Sequence, residues 1–301
     1  MTTGTRMAYV ELGNPNGRTL LFLHGYTDTS RSFYGLIKVL LRMNPNLRLI
    51  APDLRGHGDS SIPNSNTENP FEIANFADDL FSFLQLKNID IIDLVGHSMG
   101  SIIAQEMVSR HSEMINSLTM IGAFVNGKEN EAIQNFLMPE VVQKWQRQLQ
   151  VEFGDNWREK SYSMTPEDLG DKTLAFIKND WVIEPDCNND VLEAIYSETL
   201  KVPLATWFGA MEALSKIDNE GMMKQVNTPL LVIWGTGDTV TTKKDQDDIL
   251  EARKNATPNS RTPVEFKAYD ISESGNHRPG HNLHWANQKM VANDILKFIS
   301  K

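Results

Sequence analysis

The chain contains one cysteine, Cys187, so no intramolecular disulfide can form and the fold must rest on its apolar core. A single thiol fits a reducing compartment. Long hydrophobic runs are missing as well. The opening stretch, residues 1–11, lacks the apolar segment of about seven or more residues that a signal peptide needs, and no later run approaches the ~18 residues of a membrane span. The expectation is a cytoplasmic protein with no membrane span. Positive charge is in deficit: 29 Lys and Arg stand against 39 Asp and Glu, a formal charge of −10, so phosphate backbones and anionic lipid surfaces are repelled on average. Nucleic acid is therefore not an expected partner. Internal repeats and low-complexity tracts are lacking too, and charges of both signs are interspersed, which excludes collagen-like, coiled-coil and disordered acidic chains.

What is present is alternation. Thr19–Leu23, Leu47–Ala51, Asp90–Val95 and Ile115–Ile121 are short apolar runs of strand length, each ending near Gly, Pro or His. Amphipathic segments separate them. The clearest opens Asn69-Pro70-Phe71-Glu72, which predicts an Asn cap, Pro at the first helical position and a Glu that closes a capping box. Its Ile73, Phe76, Ala77, Leu80 and Leu84 fall on one helical face. Strand and helix in strict alternation imply parallel strands joined by right-handed crossovers, hence a doubly wound, mostly parallel α/β sheet.

After Gly122 the pattern changes. Residues 123–227 carry helical stretches, such as Pro139–Leu149 and Val191–Leu200, and no buried strand. Pro229–Trp234 and Val264–Tyr269 restore the strand signal, and Asn287–Ile299 closes the chain with Val291, Ala292, Ile295 and Ile299 on one face. The expected organisation is a core of residues 1–122 and 228–301 with a helical cap, 123–227, inserted into it.

Gly96-His97-Ser98-Met99-Gly100 follows a predicted strand and precedes a helical pattern, the context that gives G-x-S-x-G its meaning. A serine hydroxyl must stand clear of the backbone to meet a base, and a sharp strand-to-helix turn achieves that only if the flanking residues are glycines. The helix that starts there points free N–H groups at the reacting oxygen, with Met99 as one donor. His24-Gly25-Tyr26 follows the first strand, and the N–H of Tyr26 could face the same oxyanion. Pro52 to Ser60 reads as a structural turn held by Asp53 and Arg55, with no catalytic role for His57.

A serine nucleophile needs a base, and the base needs a carboxylate. Pro229–Trp234 runs into Gly235-Thr236-Gly237-Asp238, which puts Asp238 at a strand end, whereas the residues after Ile121 offer no carboxylate. Three late histidines, His277, His281 and His284, have spacings that suit metal ligands, but Pro279 and Gly280 break any helix that would align them, so no metal is expected. His281, on a glycine-hinged loop, is the first candidate for the base; His277 is the second. His284 is expected to pack or cap at the start of the final helix.

Taken together, the segments at 24–29, 52–60, 96–100, 234–238 and 279–285 resemble the α/β-hydrolase superfamily, specifically its small lidded esterase and lipase-like members. The resemblance implies Ser98 as nucleophile, Asp238 as acid, His281 as base, the N–H groups of Tyr26 and Met99 as oxyanion hole, and 123–227 as a lid. Two departures stand out. Ala286-Asn287-Gln288 replaces the Glu and Pro common after the His-Trp stretch, and the interval from acid to base is long, with a polar stretch at 255–261 and a loop at 272–276 inside it. A serine in place of aspartate disfavours the dehalogenase and epoxide-hydrolase branches.

The implied reaction is hydrolysis of a small-molecule ester or lactone through an acyl-enzyme, with no metal or organic cofactor required. Most bulky apolar residues of the insertion are expected to form its own core. Trp207 and Met211, one helical turn apart, are the candidates for the pocket wall. Alternative readings are the same triad used for C–C bond hydrolysis or perhydrolysis, and a non-catalytic small-ligand receptor.

Overall fold

The structure is a computed structural model that describes residues 4–257, 260 and 262–301. Residues 1–3 of the opening stretch, and residues 258, 259 and 261 of the polar stretch, lie outside the described residues. Seven strands form one sheet: β1 (Tyr9–Gly13), β2 (Arg18–Leu23), β3 (Leu47–Pro52), β4 (Ile92–His97), β5 (Ile115–Ile121), β6 (Leu230–Gly235) and β7 (Val264–Tyr269). Their order is β1-β3-β2-β4-β5-β6-β7, with β1 antiparallel to β3 and every other pair parallel. The six strands expected from apolar runs are all present. β1 was not anticipated. It is an edge strand, half exposed along its length, so it never needed the continuous apolar run that marks a strand covered on both faces.

Helices α1 (Tyr34–Met43), α2 (Ile73–Leu86) and α3 (Met99–Arg110) connect β2, β3, β4 and β5 in turn. Alternate residues of β2 serve opposite cores. Leu21 and Leu23 meet Phe76, Leu80 and Ile102 of α2 and α3, while Leu20 and Phe22 meet Leu36, Leu40 and, from the last helix, Ile295. The expected apolar face of α2 is buried throughout, but its predicted start is corrected. The helix begins at Ile73 with Glu72 as an extended cap that makes no side-chain bond, and Asn69 sits in a turn at φ 45°. The Pro70 carbonyl instead accepts from Arg55 at 2.7 Å, and the Asn69 carbonyl accepts from Glu72 N–H and Asn75 Nδ2.

Between β5 and β6 the described elements are helical. A wide-pitch π-helix, Ile133–Val142, runs into α4 (Gln143–Phe153); α5 (Trp157–Ser161), α6 (Asp171–Phe176), a second π-turn at Ile177–Trp181, α7 (Asn189–Thr199), α8 (Leu204–Leu214) and α9 (Glu220–Met223) follow. The helix expected to start at Pro139 starts earlier, with Pro139 inside it. Proline lacks the N–H that a regular helix would use, and the wider pitch accommodates that gap. The chain leaves and rejoins the sheet region at an antiparallel bridge between Asn126 and Asp218. α10 (Lys243–Lys254) and α11 (Gln288–Ile299) complete the molecule. No described helix is long and apolar enough to cross a membrane.

Candidate active site

Because β2, β4, β6 and β7 run in parallel, the loops that follow them emerge at one end of the sheet. Ser98 stands between β4 and α3 at φ 50°, ψ −119°, a conformation rare for any residue with a side chain. Its neighbours fix it there. The Ser98 N–H donates to the Ile121 carbonyl at 3.0 Å, and its own carbonyl accepts from Ser101 N–H and Oγ at 2.8 and 2.6 Å. A Cβ on Gly96 would lie 2.5 Å from the Gly100 carbonyl oxygen, and one on Gly100 would lie 2.1 Å from that of Leu23. Both glycines are therefore steric requirements of the turn. Met99, fully buried, is the first residue of α3, where helical N–H groups lack intrahelical partners and the dipole is positive.

Asp238 follows β6. Its Oδ1 accepts from the N–H groups of Val240 and Thr241 at 2.7 and 2.8 Å, and its Oδ2 from Thr241 Oγ1 at 2.6 Å and from His281 Nδ1 at 2.8 Å. Asp238 does not cap α10; Thr242 and Asp245 form that helix's capping box. With Nδ1 donating to the carboxylate, Nε2 of His281 keeps its lone pair. Burial works against an imidazolium here, but the charge and hydrogen bond of Asp238, helped by Glu184 and Asp245, outweigh it and raise the His281 pKa above the usual histidine value.

Ser98 and His281 line one cavity of about 440 Å³, and Gly237, Thr239 and Val240 around Asp238 form part of the same wall. Tyr26 also lines it, following β2. Met211 is in the wall as expected. Trp207 is not; it is fully buried behind the wall, packed edge-on to Tyr26 with ring centroids 5.4 Å apart, and its carbonyl accepts the Tyr26 hydroxyl. A helical turn separates the two residues, but α8 is buried on several sides, so shared spacing did not mean a shared surface. Trp181, Phe136 and Phe124 supply aromatic wall instead. The described lining carries the carboxyl groups of Asp28, Asp180 and Glu184 and no lysine or arginine.

The three late histidines part company. His277 is exposed, outside the cavity wall, and bonded through Nδ1 to Asp186 Oδ1 at 2.7 Å. His284 is fully buried in the turn before α11, its ring tilted against those of Phe33 and His97 with centroids 4.8 and 4.4 Å away. It belongs to another group: Asp28, His97 and His284, all buried, bring one potential ligand atom each within 4.8 Å of one another. Two imidazoles and a carboxylate are zinc-type donors. Bonds of about 2.0–2.2 Å would draw such atoms closer together than that upper bound requires. His97 Nε2 donates to the His281 carbonyl at 3.0 Å, so its Nδ1 is a bare acceptor. Burial pushes the Asp28 carboxyl up to about 7, which favours its neutral form.

Two other groups complete the picture. His57 is buried against His24, with Nδ1 on the Arg55 carbonyl and its pKa pushed down to about 3 by burial and by His24. Asp53 and Arg55 hold that turn as expected, Asp53 through Ser30 N–H and Asp59 N–H, and Arg55 through Asp79. Burial and the nearby Glu184 push the Cys187 thiol up to about 12, which disfavours the thiolate. Glu184 itself was not anticipated. It lies 96 residues from its partner Gly280, and no local pattern announces such a pairing.

A family model described as alpha/beta hydrolase fold matches residues 18–272. An uncharacterized protein of Mycobacterium tuberculosis is 23% identical over 238 residues, covering 79% of this chain and 66% of that protein; the chain thus spans just under two thirds of that relative's length. Among solved structures, an esterase from Exiguobacterium antarcticum superposes with TM-score 0.72 at 16% identity, covering 99% of this chain and 97% of the other. The enol-lactonase from Burkholderia xenovorans superposes with TM-score 0.68 at 15% identity, covering 99% and 98%.

Proposed function

The chain belongs to the α/β-hydrolase family, and from that premise we propose that it is a serine hydrolase of carboxylic esters or lactones, with Ser98 as nucleophile, His281 as base and Asp238 as its orienting acid. The observation that carries this reading is the 2.8 Å bond from His281 Nδ1 to Asp238 Oδ2 in the same cavity wall as a serine at φ 50°. His281 Nε2 takes the proton of Ser98 as its oxygen attacks the ester carbonyl. The N–H groups of Met99 and Tyr26 meet the oxyanion, and the resulting imidazolium is stabilised by Asp238. His281 then passes its proton to the leaving alcohol, leaving an acyl-serine, and activates the water that releases the acid. No step calls for a metal or an organic cofactor. The helical segment 123–227 acts as the cap that walls the pocket.

The aromatic and aliphatic wall suits an apolar acyl group. The described lining offers no lysine or arginine to an anionic substrate, so stripping such a group of water there would cost several kcal/mol. Uncharged esters should therefore be cleaved with kcat/KM at least about a hundredfold above that for a matched acyl group ending in carboxylate. Comparing 4-nitrophenyl butyrate with the mono-4-nitrophenyl ester of succinate tests this, and equal rates would contradict it. The same assay against a C–C cleavage substrate at equal enzyme concentration separates that alternative.

A further inference from the structure

We propose that Glu184 is a positioning residue for His281: from the helical segment between β5 and β6 it grips the backbone on both sides of the base, so the imidazole is set only while that segment is docked. The inference rests on the assignment of His281 as base in the preceding reading.

The geometry is a bracket. Glu184 Oε1 accepts the Gly280 N–H at 2.8 Å and Oε2 accepts the Asn282 N–H at 3.0 Å. The two donors flank His281 in the chain, so one carboxylate fixes the peptide units that enter and leave it. Asn282 answers by donating Nδ2 to the Ile183 carbonyl at 3.0 Å, which ties the same two segments a third time. Glu184 is 6% exposed, and a Cβ on Gly280 would stand 2.7 Å from Oε2, so the absence of a side chain there is what admits the carboxylate.

A bracket of this kind needs two acceptors at fixed spacing. Glutamate supplies both; glutamine supplies one and turns an NH₂ donor toward the other N–H. Burying a carboxyl group next to the base is costly, and burial pushes Glu184 up to about 7 despite the two N–H bonds that oppose it. If gluing the segment down were its whole task, a neutral contact would serve. The segment has a second tie elsewhere: the carboxylate of Asp186, which binds Ser272, Ser274 and His277 and has no hydrogen bond to His281. Asp186 therefore provides an internal control.

The bracket has an electrostatic side. The charged or titratable groups acting on His281 are Asp238, Glu184 and Asp245 among acids, with the rings of His97 and His284 beside them. Above about pH 7, where Glu184 is ionised, removing its charge leaves Asp238 and Asp245, so the His281 pKa should fall.

The test compares Glu184→Gln and Asp186→Asn with the parent, following 4-nitrophenyl butyrate hydrolysis across pH and the downfield ¹H resonance of the His281 Nδ1 proton. For Glu184→Gln, kcat should fall about tenfold or more, because small misplacements of a base cost that much. KM should stay within about threefold. The acid limb of kcat/KM should move to lower pH, and the Nδ1 resonance should shift or broaden. Asp186→Asn should leave kcat and the resonance as in the parent. The proposal is overturned if Glu184→Gln keeps the parent's kcat, acid limb and Nδ1 resonance, or if both variants change only KM and Tm. Should the parent itself prove inactive, the hydrolase reading fails, and the ¹H resonance and His281 titration still decide whether Glu184 sets the imidazole.

Discussion

Asp238 and His281 stand on loops after different strands, and the 2.8 Å bond between Oδ2 and Nδ1 leaves the imidazole with a lone pair on Nε2 and a carboxylate behind it. An imidazole so placed gains a proton more readily than a free one, because the charge of Asp238 outweighs the cost of burial. The pH dependence of catalysis follows from that direction. As the proposed base, His281 works only when unprotonated, so kcat/KM should rise with pH through a midpoint above the ordinary histidine value of 6.5. Replacing the acid by Asp238→Asn should lower that midpoint and the plateau by about ten-thousandfold in kcat, as loss of the correct tautomer does in triads. A stopped-rate profile from pH 5 to 9 checks both; a flat profile down to pH 5 would contradict a histidine base.

Asp28 gives a stability prediction. Burial moves its carboxyl from 3.8 to about 7, so the folded protein holds that proton more tightly than the unfolded chain. Its contribution to stability is then complete below pH 3.8 and declines as pH rises to about 7, by roughly 4 kcal/mol at most. Asp28→Asn keeps an acceptor for the Thr29 N–H and has no proton to lose. It should match the parent at pH 5 more closely than at pH 8, where it should melt several degrees higher. Calorimetry at the two pH values decides, and a Tm difference independent of pH would refute the assignment.

Trp207 and Met211 separate core from pocket. Trp207→Ala removes a fully buried indole that packs on Tyr26, Trp145 and Trp181, and should cost about 3–5 kcal/mol of stability. Met211→Ala enlarges the cavity wall and should shift preference toward longer acyl chains, read as the ratio of kcat/KM for octanoate to butyrate esters. If Trp207→Ala changed that ratio while leaving Tm unmoved, the two roles would be reversed.

Much of this arrangement was legible before any coordinates because it is written locally. The five strands β2 to β6 are largely buried and so carry apolar runs, the turn at Ser98 must have glycine on both sides, and Asp238 lies three residues past the end of β6. What was not legible depends on distant contacts. β1 is half exposed and so carries no apolar run. Before the start of α2, the Pro70 carbonyl accepts from Arg55, which reaches it from elsewhere in the fold. The choice of His281 over His277 turns on which loop face meets Asp238, and Asp186 claims His277 from a segment 91 residues away. Glu184 reaches the backbone on both sides of His281 in the same non-local manner.

The most direct test of the central claim is labelling by a fluorophosphonate probe, read by intact mass and peptide mapping, in the parent, Ser98→Ala and His281→Ala. The account predicts one adduct per chain on Ser98 in the parent, none in Ser98→Ala, and labelling slowed by about a thousandfold or more in His281→Ala. An adduct that persists in Ser98→Ala, or a folded parent that takes up no probe, would contradict it.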